Sequence, residues 1–158
     1  PQVEGEAYDL VVDKTIRLQL KVRGGTRESG SFSIVLSKCM GQRHGKDVSG
    51  QYSVDDFDAL ASMAIDPKER IAKGFFILPM SELVAREYVG QIDRRHGSLT
   101  LYPPWCQPAS QSGQQAQKWQ QKYFVDTSEQ QPLSEEQRHR LRSLLVTCRR
   151  DWQEPVLS

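Results

Sequence analysis

The sequence predicts an α/β domain, bordering on α+β, in which a mixed β-sheet is flanked by helices. Three observations carry that expectation. Residues 15–23 alternate strictly, with Ile16, Leu18, Leu20 and Val22 on one face and Thr15, Arg17, Gln19, Lys21 and Arg23 on the other, the period-two pattern of a half-buried strand. Phe75 to Leu78 is an apolar run stopped by Pro79, and a helix-prone segment from Ser81 to Glu87 follows at once. Ser134 and Gln137 are spaced as a capping box at the start of a second helix.

The remaining elements fall between these. Residues 7–13 are β-prone, and Asp13-Lys14 is a tight turn that folds them back on residues 15–23 as a hairpin, with Gly24-Gly25 ending the second strand. Ser31 to Leu36 alternates again, with Phe32, Ile34 and Leu36 on one side. Lys38 to Tyr52 reads as a glycine-rich, basic loop. Phe57 to Asp66 fits strand or helix equally, because periodicity alone does not separate them. Ser81 is the expected cap of the first helix. Ser98 to Tyr102 is a short strand ended by Pro103-Pro104. Residues 107–121, rich in Gln and Ser, read as a mobile loop or an insertion. The last helix, about residues 134–152, places Leu141, Leu144, Leu145, Cys148 and Trp152 on one face. The expected layout is one domain over 1–158, with its core at about 5–105.

Bulk properties narrow the function classes. The chain has 158 residues, 37% of them hydrophobic and 26% charged, with a formal net charge of +1. That suits one soluble domain. No apolar run is long enough to cross a bilayer, and no signal peptide opens the chain, so the expected location is intracellular, the nucleus being one candidate compartment. The start at Pro1 leaves room for a larger protein upstream. Near-neutral charge neither announces nor excludes a nucleic-acid partner. Cys39, Cys106 and Cys148 lack the spacing of a zinc site and read as reduced thiols.

The hairpin carries the candidate chemistry. Phosphodiester hydrolysis needs a metal that neutralises phosphate charge, oxygen ligands that hold it, and a nucleophilic water beside it. Gln19 and Lys21 share one strand face, about 7 Å apart at about 3.4 Å per residue. Antiparallel pairing brings Asp9 toward them. The Leu20 backbone carbonyl lies between and is a candidate further ligand, and Mg²⁺ accepts such an oxygen set while keeping several waters. A lysine beside the water orients it and stabilises developing negative charge.

Asp9, nine residues, then Gln19-Leu20-Lys21 resembles the PD-(D/E)xK nuclease superfamily in its variant with glutamine at the second acidic position. The segments Tyr8 to Asp13, Gln19 to Lys21, Asp56 to Leu60, Phe75 to Leu83 and Leu99 to Tyr102 follow one another as in its small members, which include homing endonucleases of group I introns. The resemblance spans residues 5 to about 103. It implies a restriction-endonuclease-like core and Mg²⁺-dependent endonuclease cleavage of DNA, with Mn²⁺ as a substitute. It makes Asp9 and Gln19 metal ligands and sets Lys21 beside the attacking water. Many members carry a glutamate on a helix before the first strand. Here Glu4 and Glu6 are the candidate additional acids, unless that group lies upstream of Pro1, comes from another chain, or is absent. The usual proline before the first acid is Tyr8.

Each feature has a plainer alternative. Arg17, Gln19, Lys21 and Arg23 also suit the solvent face of an amphipathic strand. Arg17, Arg23, Lys38, Arg43 and Lys46 are candidate phosphate contacts, and a solvated loop explains the last three as well. Asp55, Asp56 and Asp58 fit a turn and strand entry or a second metal site. The scattered His44, His96 and His139 read as surface residues. Arg138, Arg140, Arg142, Arg149 and Arg150 give the last helix a basic side. Two functions therefore stand: a metal-dependent DNA endonuclease, active singly or as a homo-oligomer, and a catalytically inactive nuclease-like module that binds nucleic acid or a partner protein, for instance as the C-terminal effector domain of a larger protein.

Overall fold

Tight turns and alternating strands organise the chain, as seen in a computed structural model that describes residues 8–21, 27–90, 97–128 and 133–150, the side chains of Asp47, Arg149 and Arg150 excepted. Glu4, Glu6, Val22, Arg23, Gly24, Gly25 and Trp152 lie outside the described residues. Asp13 and Lys14 take φ of 50° and 58°, and Thr15 N donates to Val12 O at 3.1 Å. That closes the expected antiparallel hairpin, of β1 (Leu10–Val12) and β2 (Ile16–Lys21), with Leu10 opposite Leu18.

The ambiguous run becomes β6 (Ala59–Ile65), which pairs on both edges. It runs parallel to β2, with Gln19 opposite Leu60, and antiparallel to β7 (Ala72–Pro79). An unanticipated strand, β9 (Phe124–Asp126), adds beyond β7. The result is a five-stranded mixed sheet in the order β1-β2-β6-β7-β9. A smaller antiparallel sheet of β3 (Phe32–Val35) and β8 (Ser98–Leu101) packs on it, with Phe32 and Phe76 rings 6.4 Å apart. Consecutive burial of Phe76, Ile77 and Leu78 shows that β7 is covered on both faces.

Helices complete the cover. α1 (Met80–Ala85) continues directly from β7 and buries Met80 and Leu83. α3 (Glu135–Arg150) crosses β2, β7 and β9. Its capping box forms as expected: Ser134 N donates to Gln137 Oε1 at 2.7 Å, and Gln137 N donates to Ser134 Oγ at 3.2 Å. Leu144 and Cys148 are its buried residues, with Leu141 and Leu145 packed beside them.

Four expectations are corrected. Residues 107–121 are not a mobile loop: α2 (Gln111–Gln120) forms there, capped by Ser110, whose side chain accepts from Gly113 N, and a 3-10 turn follows at Gln121–Tyr123. Lys38 to Tyr52 is not a loop throughout but holds the hairpin β4 (Lys38–Arg43) and β5 (Lys46–Gly50), which pair only with each other. Its strands have no buried face, so no apolar alternation marked them. Pro79, not Ser81, is the N-cap of α1, in extended conformation without a side-chain bond, because the β7 chain runs straight into the helix. Leu20, expected on the apolar face with Ile16 and Leu18, is 46% exposed. Periodicity gives the side a residue faces, not whether anything covers that side.

Candidate active site

The β1–β2 hairpin brings the three sequence-derived residues to one place. Asp9 sits at the bend before β1, and its backbone N donates to Leu18 O at 2.9 Å, extending the ladder. The Asp9 Oδ2 atom therefore reaches the far end of β2. It accepts from the Gln19 amide Nε2 and, at 2.9 Å, from Leu20 N. The same Nε2 donates to Leu20 O at 3.1 Å. One amide nitrogen thus lies between a carboxylate oxygen and a backbone carbonyl, the three candidate ligand groups. Gln19 is buried while Asp9 is exposed.

Lys21 enters a cleft of about 840 Å³ that Gln19, Lys21, Ser37, Met40, Tyr52 and Asp56 help to line. Its Nζ donates to Ser37 O at 3.1 Å and lies 4.8 Å from the Tyr52 ring centroid, a cation–π distance. Burial pushes the Lys21 ammonium below the usual lysine range, against the opposing attraction of Asp9. Burial, reinforced by the charges of Asp9 and Asp56, pushes the Tyr52 hydroxyl up to about 12, so this phenol stays neutral. Tyr52 is held edge-on against Phe57, with ring centroids 5.0 Å apart.

Tyr52 and Ser37 are the site residues that sequence reasoning missed. Ser37 contributes only a backbone carbonyl, which leaves no trace in residue identity. Tyr52 stands between strands with no periodic neighbour, and only the tertiary fold brings it to Lys21.

The basic candidates separate into two groups. Arg17 is engaged: its Nη2 pairs with Asp58 Oδ1 at 3.0 Å, its backbone N donates to Asp58 Oδ2 at 2.7 Å, and its Nη1 donates to Asp55 O at 2.6 Å. The Asp58 hydrogen bond, partly opposed by burial, raises the guanidinium further above its already high range. Lys38 Nζ pairs with Asp56 Oδ2 at 2.6 Å, and that carboxylate also accepts from Ser53 N. Both cations are partly neutralised, and Asp56 and Asp58 are cation partners. Their roles suit the turn and strand entry read from the sequence; among the described residues no three His, Cys, Asp or Glu side chains form a metal-binding group, there or at Asp9. Arg43 and Lys46, in contrast, are exposed at the β4–β5 tip with no ion pair among the described residues.

The donor set fits a hard cation better than a soft one. Asp9, Gln19 and Leu20 offer oxygens, and the free cysteines stand elsewhere, Cys39 exposed and Cys106 and Cys148 buried. Rotating the Gln19 amide by 180° exchanges Nε2 for Oε1 and turns the central donor into a third acceptor beside Asp9 Oδ2 and Leu20 O.

A five-stranded mixed sheet flanked by helices, with a polar cluster on an edge hairpin, defines a mixed α/β protein. The family model described as MepB-like matches residues 14–126, and the chain belongs to the MepB-like family. The match takes in Gln19 and Lys21 and starts after Asp9. The crystal structure of MepB is similar over 73% of this chain and 74% of that one, at 23% identity and a TM-score of 0.57, and shares the fold. The structure of a bacterial homing endonuclease aligns over 75% of this chain and 73% of its own, at 17% identity and a TM-score of 0.44. No curated protein matches. Among the described residues, no helix is long and apolar enough to cross a membrane.

Proposed function

We propose that this chain is a metal-dependent endonuclease that hydrolyses DNA phosphodiester bonds at the β1–β2 hairpin, using the PD-(D/E)xK chemistry that its sequence resembles. The observation that carries the proposal is the convergence of Asp9 Oδ2, the Gln19 amide and Leu20 O, with the half-buried Lys21 ammonium on the same strand facing a cleft.

Asp9, Gln19 through Oε1, and the Leu20 carbonyl would hold Mg²⁺ or Mn²⁺. When bound, such an ion supplies charge neutralisation at the phosphate and acidifies a coordinated water. Everything else falls to the chain. Ser37 O and the Tyr52 ring fix the Lys21 ammonium at the cleft wall. From there it orients the attacking water and stabilises the negative charge that grows on the phosphoryl oxygens. Arg17 and Lys38, tethered by Asp58 and Asp56, line the same cleft as positioned cations for the flanking phosphates.

Supercoiled plasmid should be nicked by the protein with Mg²⁺ or Mn²⁺ and left intact with EDTA. Asp9→Asn should weaken Mn²⁺ affinity by about 100-fold or more, beyond the 10–100-fold typical of changes to outer-shell partners, with cutting lost in parallel. Calorimetric titration that shows unchanged Mn²⁺ binding in the folded variant would remove Asp9 from the site. A second pair separates ring from hydroxyl at Tyr52. Tyr52→Phe keeps the cation–π face and should cut at near wild-type rate, while Tyr52→Ala should slow cutting by about 5- to 30-fold, the equivalent of one partly desolvated cation–π contact. Equal rates for Phe and Ala would show that the ring does not position Lys21.

One observation favours the other reading, a nuclease-like module that binds without turnover. The Asp9 Oδ2 atom already accepts from Gln19 Nε2 and Leu20 N, and the second acid is an amide. Tight DNA binding that is indifferent to EDTA, together with no nicking in either metal, would establish that module instead.

A further inference from the structure

Two buried polar side chains frame β2, the strand that carries Gln19 and Lys21. Near its start, Asp58 Oδ2 accepts from Arg17 N at 2.7 Å, and Asp58 N donates to Arg17 O at 2.8 Å. At its end, Ser62 Oγ donates to Lys21 O at 2.9 Å. Asp58 and Ser62 are 8% and 3% exposed, and they stand just before β6 and within it.

The end of β2 depends on such a bond more than its start does. β1 pairs with Ile16, Arg17 and Leu18. From Gln19 onward no β1 residue stands opposite β2, and the Asp9 carboxylate substitutes once, at Leu20 N. At Lys21 the ladder to β6 reaches its last rung, with Lys21 opposite Ser62. Chain segments at the ends of a ladder open most readily.

Packing does not call for a serine here. Ser62 shares the buried side of β6 with Leu60 and Ala64, where an alanine would fill the place without a polar group. Burying a hydroxyl costs free energy unless it is hydrogen-bonded, and a neutral hydrogen bond returns little net stability. The effect of this hydroxyl therefore falls on position. Three elements meet on one residue: Ser62 of β6 holds the Lys21 main chain, the Ser37 carbonyl after β3 takes the ammonium at 3.1 Å, and the Tyr52 ring after β5 lies 4.8 Å from it. A lysine side chain has large rotamer freedom, and holding both its root and its tip removes that freedom before any ligand arrives.

We propose that Ser62 is a positioning residue of the candidate site: its hydroxyl fixes the Lys21 main chain at the last rung of β2 and so aims the ammonium into the cleft. The role in cleavage rests on the endonuclease reading, and the hold on Lys21 does not.

NMR of the full chain labelled with carbon-13 lysine tests it. The titration of Lys21, assigned by Lys21→Arg, is followed in wild type, Ser62→Ala and Ser62→Cys. Cysteine is close to serine in size and a weak donor, so it keeps the test decisive if the alanine variant folds poorly. Wild-type Lys21 should titrate below 10.5, the direction that burial sets. In both variants it should move up toward 10.5 as the ammonium gains water. Both substitutions should also slow metal-dependent nicking about 10- to 100-fold at saturating plasmid, the scale of a small misplacement of a reacting group, with KM unchanged. Ser62→Ala should add nothing to Lys21→Ala. An unmoved Lys21 titration in the folded variants would overturn the proposal, and so would the same rate loss from Ser62→Ala in the Lys21→Ala background. A titration that moves as expected, in a protein whose wild type nicks nothing with Mg²⁺ or Mn²⁺, would sink the endonuclease and keep the hold on Lys21. Normal nicking with an unmoved titration would do the reverse.

Discussion

Replacing Lys21 with alanine is expected to reduce metal-dependent nicking about 100- to 1000-fold, the loss usual when one preorganised stabiliser of transition-state charge is removed, while the protein stays folded. The fold survives because the ammonium is a mixed contributor. It gains a hydrogen bond to Ser37 O and a cation–π contact with Tyr52, but burial disfavours its charge. These opposing effects should leave the variant within about 1 kcal/mol of wild type. The pH dependence follows from the direction of the shift. With the folded pKa below that of the unfolded chain, the burial penalty is present in full while both states are protonated. It fades as pH rises through the folded value and is gone above the ordinary lysine value of 10.5. Stability therefore rises with pH in that window. Cleavage needs the charged form and should fall over the same rise, on an alkaline limb that begins below 10.5 and that the residual activity of Lys21→Ala lacks. Full activity in a folded Lys21→Ala, or an unchanged alkaline limb, would dismiss Lys21 from the chemistry.

The hairpin that carries Lys21 was the most legible part of the sequence, because its strand has one covered side and one polar side and a turn whose residues accept positive φ. Elsewhere legibility followed the same physical condition. β6 gave no period because its residue types do not follow its faces: Leu60, Ser62 and Ala64 share the buried side, while the apolar Met63 on the other side is exposed. β4 and β5 gave none because nothing covers them. β9 is three residues long, and its place in the sheet comes only from pairing with β7. At the candidate site, residue identity pointed to Asp9, Gln19 and Lys21, and the fold brings all three to one hairpin. It did not foretell that Gln19 would turn its amide nitrogen to Asp9, nor that Asp56 and Asp58 would hold Lys38 and Arg17, since those pairings cross 18 and 41 positions of chain.

Gln120→Leu should destabilise the protein by about 2–6 kcal/mol, a large share of a typical 5–15 kcal/mol. This residue belongs to the Gln-rich stretch whose composition reads as solvent-loving, yet it is fully buried. Its Oε1 accepts from Tyr102 N at 2.8 Å and its Nε2 donates to Thr100 O at 2.9 Å. The amide thus stands in for a neighbouring strand along β8, satisfying a backbone donor and a backbone acceptor that β3 does not reach. Leucine fills similar space and leaves both groups unpaired, each costing about 1–3 kcal/mol. Gln114→Ala, exposed and bonded only at 3.3 Å to Pro108 O, is the control and should lie within about 0.5 kcal/mol of wild type. Urea melts measure both, and faster hydrogen exchange at Tyr102 N would locate the damage. Composition misled here because an amide side chain satisfies backbone groups inside a protein as readily as it does water. The effect should reach the cleft as well. β8 pairs with β3, the ladder continues to Leu36 N donating to Gly97 O, and the next residue is Ser37, whose carbonyl holds Lys21. A Gln120→Leu protein that melts with wild type would show that α2 merely lies against β8, and the Ser37 carbonyl would then owe its place to β3 alone.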